Sequence, residues 1–152
     1  MASQNFARAL AFTLAYEGGW SDHPKDPGGA TMCGVTLRTY RIYHPRATAD
    51  DLRKAPKSHF EAIYRSGYWD QIGGDALPSG VDLIAFDIAV NAGVGRVMPW
   101  LHDTANLKPK DRIKALGAKR CGFWRKLATW ATFGRGWAAR ENACLKAALA
   151  LA

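Results

Sequence analysis

Long apolar runs and paired cysteines are missing from this sequence of 152 residues. Charged residues interrupt every apolar stretch before it reaches about 18 residues, so the sequence predicts no transmembrane segment. The three cysteines (Cys33, Cys121 and Cys144) cannot all pair and have no CxxC spacing. We interpret them as reduced thiols, because a chain of this length can fold around an apolar core without disulfides.

Motifs for metals, cofactors and nucleophilic serines are also missing. The four histidines are isolated from one another and from paired cysteines: His23, His44, His59 and His102. The chain contains no phosphate-binding loop, no dinucleotide fingerprint and no GxSxG sequence. The sequence therefore predicts no metal site and no cofactor.

Acidic residues are scarce in the C-terminal part. Residues 96–152 carry 12 basic and 3 acidic side chains, whereas residues 1–95 carry 9 and 10, and the net charge is +8. Such an excess favours an anionic partner, namely nucleic acid, acidic lipid or an anionic cell-wall polymer, although it can also serve solubility alone. We expect no nucleic-acid partner, because no aromatic-basic recognition motif accompanies the charge.

Apolar spacing and capping residues predict an all-α fold in one domain, residues 1–152. Glycine and proline are dense in residues 18–35, which allows at most a small hairpin there. Residues 80–92 are the most apolar segment and should be central. Thr36 is a possible cap before residues 37–43, and Thr48 with Asp51 three residues later marks the start of the helix that reaches Lys54. Ser58 with Glu61, and less perfectly Ser79 with Asp82, have capping-box spacing. The predicted helices cover residues 4–17, 37–43, 48–54, 58–66, 80–92, 109–131 and 136–150, with breaks at Gly93, Gly95 and Pro99 and at Phe133, Gly134 and Gly136.

Glutamate occurs only three times, and Glu17 has the most suggestive position. A carboxyl at the C-terminal end of a helix, beside apolar walls, has a raised pKa and can donate a proton near neutral pH. Asp26 follows in the glycine-rich loop, where a second carboxylate could stay ionised. Two carboxyls in different environments are typical of glycosidic-bond cleavage. Taken singly, Glu17 could be a solvent-facing or capping residue, Asp26 a turn residue before Pro27, and Thr31 is uninformative.

The string YEGGWSDHPKDPGGATMCGVT resembles the opening of glycoside hydrolase family 108, the N-acetylmuramidases. The family pattern E-G-G-Y/W followed by D-x-G-G-x-T-x-x-G-I/V-T matches Glu17, Gly18, Gly19, Trp20, Asp26, Gly28, Gly29, Thr31, Gly34, Val35 and Thr36. Further matches are YWD (residues 68–70), FDIAVNAG (residues 86–93) and TWATFGRGWAAR (residues 129–140). The resemblance covers almost the whole chain.

This resemblance implies a lysozyme-like helical fold and hydrolysis of the bond between N-acetylmuramic acid and N-acetylglucosamine in peptidoglycan. Glu17 would be the general acid. By similarity to phage-type lysozymes, Asp26 would stabilise the oxocarbenium-like transition state or act as base, and Thr31 would help to hold the attacking water. The candidate substrate-binding residues are Trp20, Tyr64, Trp69, Gln71 and Asn91, although core packing is the commoner role for such aromatic residues.

The resemblance divides the chain into a catalytic half (residues 1–75) and a helical half (residues 76–152) that is similar to a predicted peptidoglycan-binding region. Between Gly95 and Leu116 the sequence lacks the family's D-G-x-x-G-P-x-T character. We therefore expect both halves to form one fold, with the basic helices suited to anionic envelope polymers.

Two further expectations complete the hypothesis. The apolar stretch after Arg8 is about seven residues long, the lower limit for a signal peptide, and cleavage after Ala15 would fall just before Glu17. We therefore expect no signal peptide, and a protein synthesised in the cytoplasm that reaches the cell wall through a holin or a secretion route. The alternative function is a non-catalytic peptidoglycan-binding or secretion-accessory protein on the same scaffold.

Overall fold

The computed structural model describes residues 2–152, with side chains from residue 4 onward, and its architecture is mainly helical. The α-helices are α1 (Ala2–Leu14), α2 (Leu37–Tyr43), α3 (Ala49–Arg53), α4 (Lys57–Tyr64), α5 (Val81–Ala92), α6 (Val94–Asp103), α7 (Pro109–Arg125) and α8 (Trp130–Leu151). A π-helix (Arg65–Trp69) and a 3-10 helix (Gly74–Ala76) connect α4 to α5. One small antiparallel hairpin pairs β1 (Thr31–Met32) with β2 (Val35–Thr36). The predicted fold class is confirmed.

Helix α5 is the centre of the core, as its sequence predicted. Every residue from Val81 to Ala89 is buried, because the segment is apolar on almost all faces. Helices α1, α6, α7 and α8 all pack against it, so elements from both halves of the sequence surround one helix. No helix within residues 2–152 is both long and apolar enough to cross a membrane.

Two of the predicted helix caps are confirmed. Thr36 caps α2 by accepting a hydrogen bond from the Thr39 amide, and Thr48 forms a reciprocal capping box with Asp51 at α3.

Two other caps are wrong. Helix α4 begins after Pro56 without a side-chain cap, and Glu61 pairs instead with Lys57 at 3.5 Å. At α5, Gly80 is the cap residue, and the Asp82 carboxylate accepts from the Gly80 and Leu83 amides, so Ser79 is not needed.

Two predicted helix breaks are also wrong. Helix α8 runs without interruption through Phe133, Gly134 and Gly136, and the chain breaks earlier, at residues 126–129. Gly134 makes room for an indole, because a Cβ there would lie 2.9 Å from the Trp130 ring. Helix α6 likewise continues through Gly95 and Pro99, which were predicted to interrupt it. Of the predicted breaks in this region, only Gly93 lies at a helix boundary.

A buried cluster of charged side chains joins α5 to α7 and α8. The Asp87 carboxylate accepts hydrogen bonds from Arg120 at 2.6 Å, from Arg140 at 2.7 Å and from the Thr13 hydroxyl at 3.0 Å. Arg120 also donates to Glu141 at 2.6 Å. Burial favours the neutral form of Asp87, but the two guanidinium groups outweigh it and hold the pKa of Asp87 below its ordinary value.

We expect Arg120→Met to lower the free energy of unfolding by about 3–5 kcal/mol, because it removes the guanidinium that pairs with the buried carboxylates of Asp87 and Glu141. Denaturant titration measures the effect. Lys119→Met removes a neighbouring, partly exposed cation and should cost less than about 1 kcal/mol. An Arg120→Met protein as stable as the parent would contradict this account of the core.

The hairpin turn has an unusual residue at its first position. Cys33 (φ 50°) and Gly34 (φ 77°) both adopt left-handed backbone conformations between the paired residues Met32 and Val35. Two-residue turns of this kind favour Asn-Gly or Gly-Gly, because other side chains are strained there.

Cys33→Asn should therefore raise the free energy of unfolding by about 0.5–1 kcal/mol, since asparagine tolerates the left-handed region. Cys33→Val is the matched control and should destabilise the protein, because a β-branched side chain is the least compatible with positive φ. Thermal unfolding of the two variants tests the order, and equal midpoints would refute it.

Candidate active site

Glu17 lies in the turn that follows α1. The sequence predicted a helix up to residue 17, but α1 ends at Leu14, and the amides of Ala15, Tyr16 and Glu17 bond to carbonyls three residues earlier. This tighter last turn carries Glu17 out of the helix. Its side chain is 22% exposed, so the carboxyl is half-buried while still open to solvent on one side.

The hairpin and α4 form one wall around Glu17. Gly34 packs so closely that a Cβ there would lie 2.8 Å from Glu17 Oε2 and 2.7 Å from the Tyr64 hydroxyl oxygen. Glycine is therefore required by contact as well as by its backbone conformation. The Tyr64 hydroxyl donates to the Cys33 carbonyl at 2.6 Å and fixes the turn beside the carboxyl.

Arg140 of α8 is the charged neighbour of Glu17. Its Nη2 lies 3.6 Å from Glu17 Oε1, while the same guanidinium donates to Asp87 and lies over the Tyr16 ring at 5.1 Å. Burial raises the pKa of Glu17, Arg140 lowers it, and the negative charge of Asp87 raises it again. The net result is a pKa above the ordinary value of 4.5, which favours a carboxyl that keeps its proton.

Asp26 is exposed and takes part in a turn. Its Oδ1 accepts a hydrogen bond from the Gly28 amide at 2.9 Å, and its own amide donates to the His23 carbonyl at 2.9 Å. This is the turn role that the sequence left open, and the carboxylate remains accessible to solvent.

Thr31 begins β1, where its hydroxyl donates to the Gly29 carbonyl at 3.2 Å. Its backbone pairs with Ser21 on one side and with Thr36 across the hairpin. Thr31 thus belongs to the hairpin whose turn contacts Glu17.

Two of the predicted substrate-binding residues, Trp69 and Tyr64, have their aromatic rings buried in the core. Trp69 is fully buried, with its indole N–H donating to Asp75 at 2.8 Å and its ring packed against Phe6 and Phe86. Tyr64 is 1% exposed and acts on the site by holding the hairpin.

The other three predicted substrate-binding residues keep some exposure. Trp20 is half-buried, with the Arg53 guanidinium 5.5 Å from its ring centre, and Gln71 is exposed and donates to the Ser66 carbonyl. Asn91 is half-buried one helical turn after Asp87, and its Oδ1 is a buried atom without a hydrogen-bond partner among residues 4–152.

Sequence reasoning missed Arg140 and Asp87 as parts of the site. Asp87 interrupts the most apolar helix of the chain, and a charged residue in such a helix normally has a buried partner. That signal could have pointed to Asp87, but it could not have identified Arg140 as the partner, 53 residues away. Among the residues that the structure describes, no group of three or more His, Cys, Asp or Glu side chains could hold a metal ion.

Comparisons with known proteins agree with this geometry. The sequence profile described as Glycosyl hydrolase 108 matches residues 10–93, which include Glu17, the hairpin and Asp87. The solved structure of SagA from Brucella abortus superposes with a TM-score of 0.84 at 32% sequence identity, over 98% of this chain and 96% of that one. A search of curated proteins found no significant match. The chain therefore belongs to glycosyl hydrolase family 108.

Proposed function

We propose that this protein is a muramidase that hydrolyses the bond between N-acetylmuramic acid and N-acetylglucosamine in peptidoglycan. The observation that carries the proposal is the half-buried Glu17, whose pKa lies above its ordinary value in a protein of a glycoside hydrolase family. Protonation of the leaving oxygen strongly accelerates cleavage of a glycosidic bond, and a carboxyl of this kind supplies the proton.

In this mechanism Glu17 donates its proton to the glycosidic oxygen and becomes a carboxylate. The Arg140 guanidinium, 3.6 Å away, then stabilises the new negative charge. Asp87 holds Arg140 with hydrogen bonds of 2.7 and 3.3 Å, so the cation is in place before the reaction begins. Asp87 and Arg140 are positioning residues, and Glu17 is the catalytic acid.

Asp26 and Thr31 would complete the reaction on the hairpin side. The exposed Asp26 carboxylate would stabilise the positive charge that develops on the sugar ring, or act as base for water. Thr31, on the first strand of the hairpin, would help to hold that water. Trp20, Gln71 and Asn91 remain the candidate contacts to the sugar units.

The proposal also gives a role to the positive charge of the C-terminal half. Helices α7 and α8 pack on α5 together with α1, so their lysines and arginines belong to the same body as Glu17. We propose that this charge keeps the protein close to anionic polymers of the cell envelope.

Glu17→Gln should lower the rate at which reducing ends are released from purified peptidoglycan by at least about 100-fold, because the amide cannot donate the proton. Glu61→Gln, which changes a carboxyl on α4 paired with Lys57, is the matched control and should keep full activity. Mass spectrometry of the products should find muramic acid at the reducing ends.

Two outcomes would contradict the muramidase proposal. Undiminished hydrolysis by Glu17→Gln would remove Glu17 from the mechanism. Binding of the parent protein to peptidoglycan without any release of reducing ends would favour the accessory function instead.

The alkaline limb of the activity profile should follow the deprotonation of Glu17. The active form is protonated, so activity falls as the pH rises through the pKa of Glu17, which lies above 4.5. Arg140→Gln removes a cation that favours the carboxylate, so the limb should move to higher pH. Arg140→Lys keeps the charge and should move it less. Rates are compared per folded molecule, and a shift to lower pH in Arg140→Gln would refute the assignment.

A further inference from the structure

The first half of α8 carries an aromatic face that leads to the candidate active site. Phe133, Trp137 and Arg140 stand at positions i, i+4 and i+7, so they share one side of the helix. Arg140 is the residue that reaches Glu17. The helical rise between Phe133 and Arg140 is about 10 Å, comparable with the length of one disaccharide unit.

The aromatic rings on this face form a stack that runs from the core to the surface. Trp124 of α7 stacks on Trp137 at 5.5 Å and 26°, and Trp137 stacks on Phe133 at 5.9 Å and 29°. Trp124 is 2% exposed, whereas Phe133 is 52% exposed. Phe133 is thus the solvent-exposed end of a row of nearly parallel rings.

A second exposed ring lies beside Arg140. Tyr16, which directly precedes Glu17, is 43% exposed, and the Arg140 guanidinium is 5.1 Å from its ring centre. One exposed aromatic ring, that of Tyr16, therefore belongs to the residue before Glu17. Another, that of Phe133, lies seven residues before Arg140 on α8. Exposed apolar rings beside polar and charged groups are available as a ligand-contact surface.

We propose that Phe133, supported by Trp137, is a stacking surface for a sugar unit of the glycan strand that passes Glu17. This inference rests on the proposed function and adds a binding position beyond the scissile bond. A pyranose ring has an apolar face of C–H groups that covers an aromatic ring, and polar edges that stay in water. A glycan is the occupant because Phe133 and Trp137 lie on the same side of α8 as Arg140, the residue that contacts Glu17.

The direct test measures the binding of inactive protein to peptidoglycan. In the Glu17→Gln background, Phe133→Ala should weaken binding to purified peptidoglycan about three- to tenfold, the effect of losing one aromatic contact. Phe133→Tyr keeps the ring and should bind as the parent does. Leu107→Ala is the matched control, because Leu107 is also an exposed apolar residue (44%). It lies before the N-terminal end of α7, whereas Trp124 of the aromatic stack lies near the C-terminal end.

A second measurement uses the active protein. Phe133→Ala should raise KM for long glycan strands while kcat stays within about twofold, because the residue contacts substrate without touching the reacting atoms. Unfolding midpoints of the variants show that the exposed substitution leaves the fold intact.

The outcomes separate this inference from the proposed function and from membrane binding. Equal peptidoglycan binding by Phe133→Ala and its parent would overturn the inference. It would also be overturned if Phe133→Ala lost binding only to vesicles of anionic phospholipid and not to peptidoglycan. Failure of the muramidase proposal would instead appear as undiminished hydrolysis by Glu17→Gln, which leaves the binding result unaffected.

Discussion

The ion pair between Asp87 and Arg140 is the interaction on which the rest of the site depends. Asp87 is wholly buried in the central helix, and a lone carboxylate there would cost several kcal/mol. Arg120 and Arg140 compensate it from two different helices, so α5, α7 and α8 cannot separate without exposing or unpairing charge. Because Thr13 also donates to Asp87, the end of α1 that precedes Glu17 is fixed to the same point.

One guanidinium therefore serves both the core and the surface. Arg140 neutralises Asp87 on its inner side and faces the Glu17 carboxyl on its outer side. Asp87 already neutralises much of the positive charge of Arg140. Arg140 can therefore stabilise a carboxylate at Glu17 without forcing Glu17 to ionise. Burial then dominates, and the pKa of Glu17 rises. The proposed role of Glu17 as general acid needs this balance, because such a group must keep its proton before the reaction and release it during the reaction.

The segment matched by the family profile ends at residue 93, before the two arginines of the buried cluster. Residues 10–93 contain Glu17, the hairpin and Asp87, but the charges that balance Asp87 come from α7 and α8. The C-terminal helices are thus part of the framework of the candidate active site as well as the source of the positive charge. The likeness to SagA extends over 98% of the chain, in keeping with a site built from both segments.

The sequence by itself determined the helical class, the central place of α5 and two of the helix caps, and it singled out Glu17 as the candidate acid. These follow from local information: apolar spacing, capping residues, glycine positions and a motif within twenty residues. Only the tertiary structure decided that Trp69 and Tyr64 lie in the core, that α8 continues through its glycines, and that Arg140 stands beside Glu17. Those features depend on contacts between residues far apart in the chain, where packing overrides local preference and no spacing in the sequence identifies the partner.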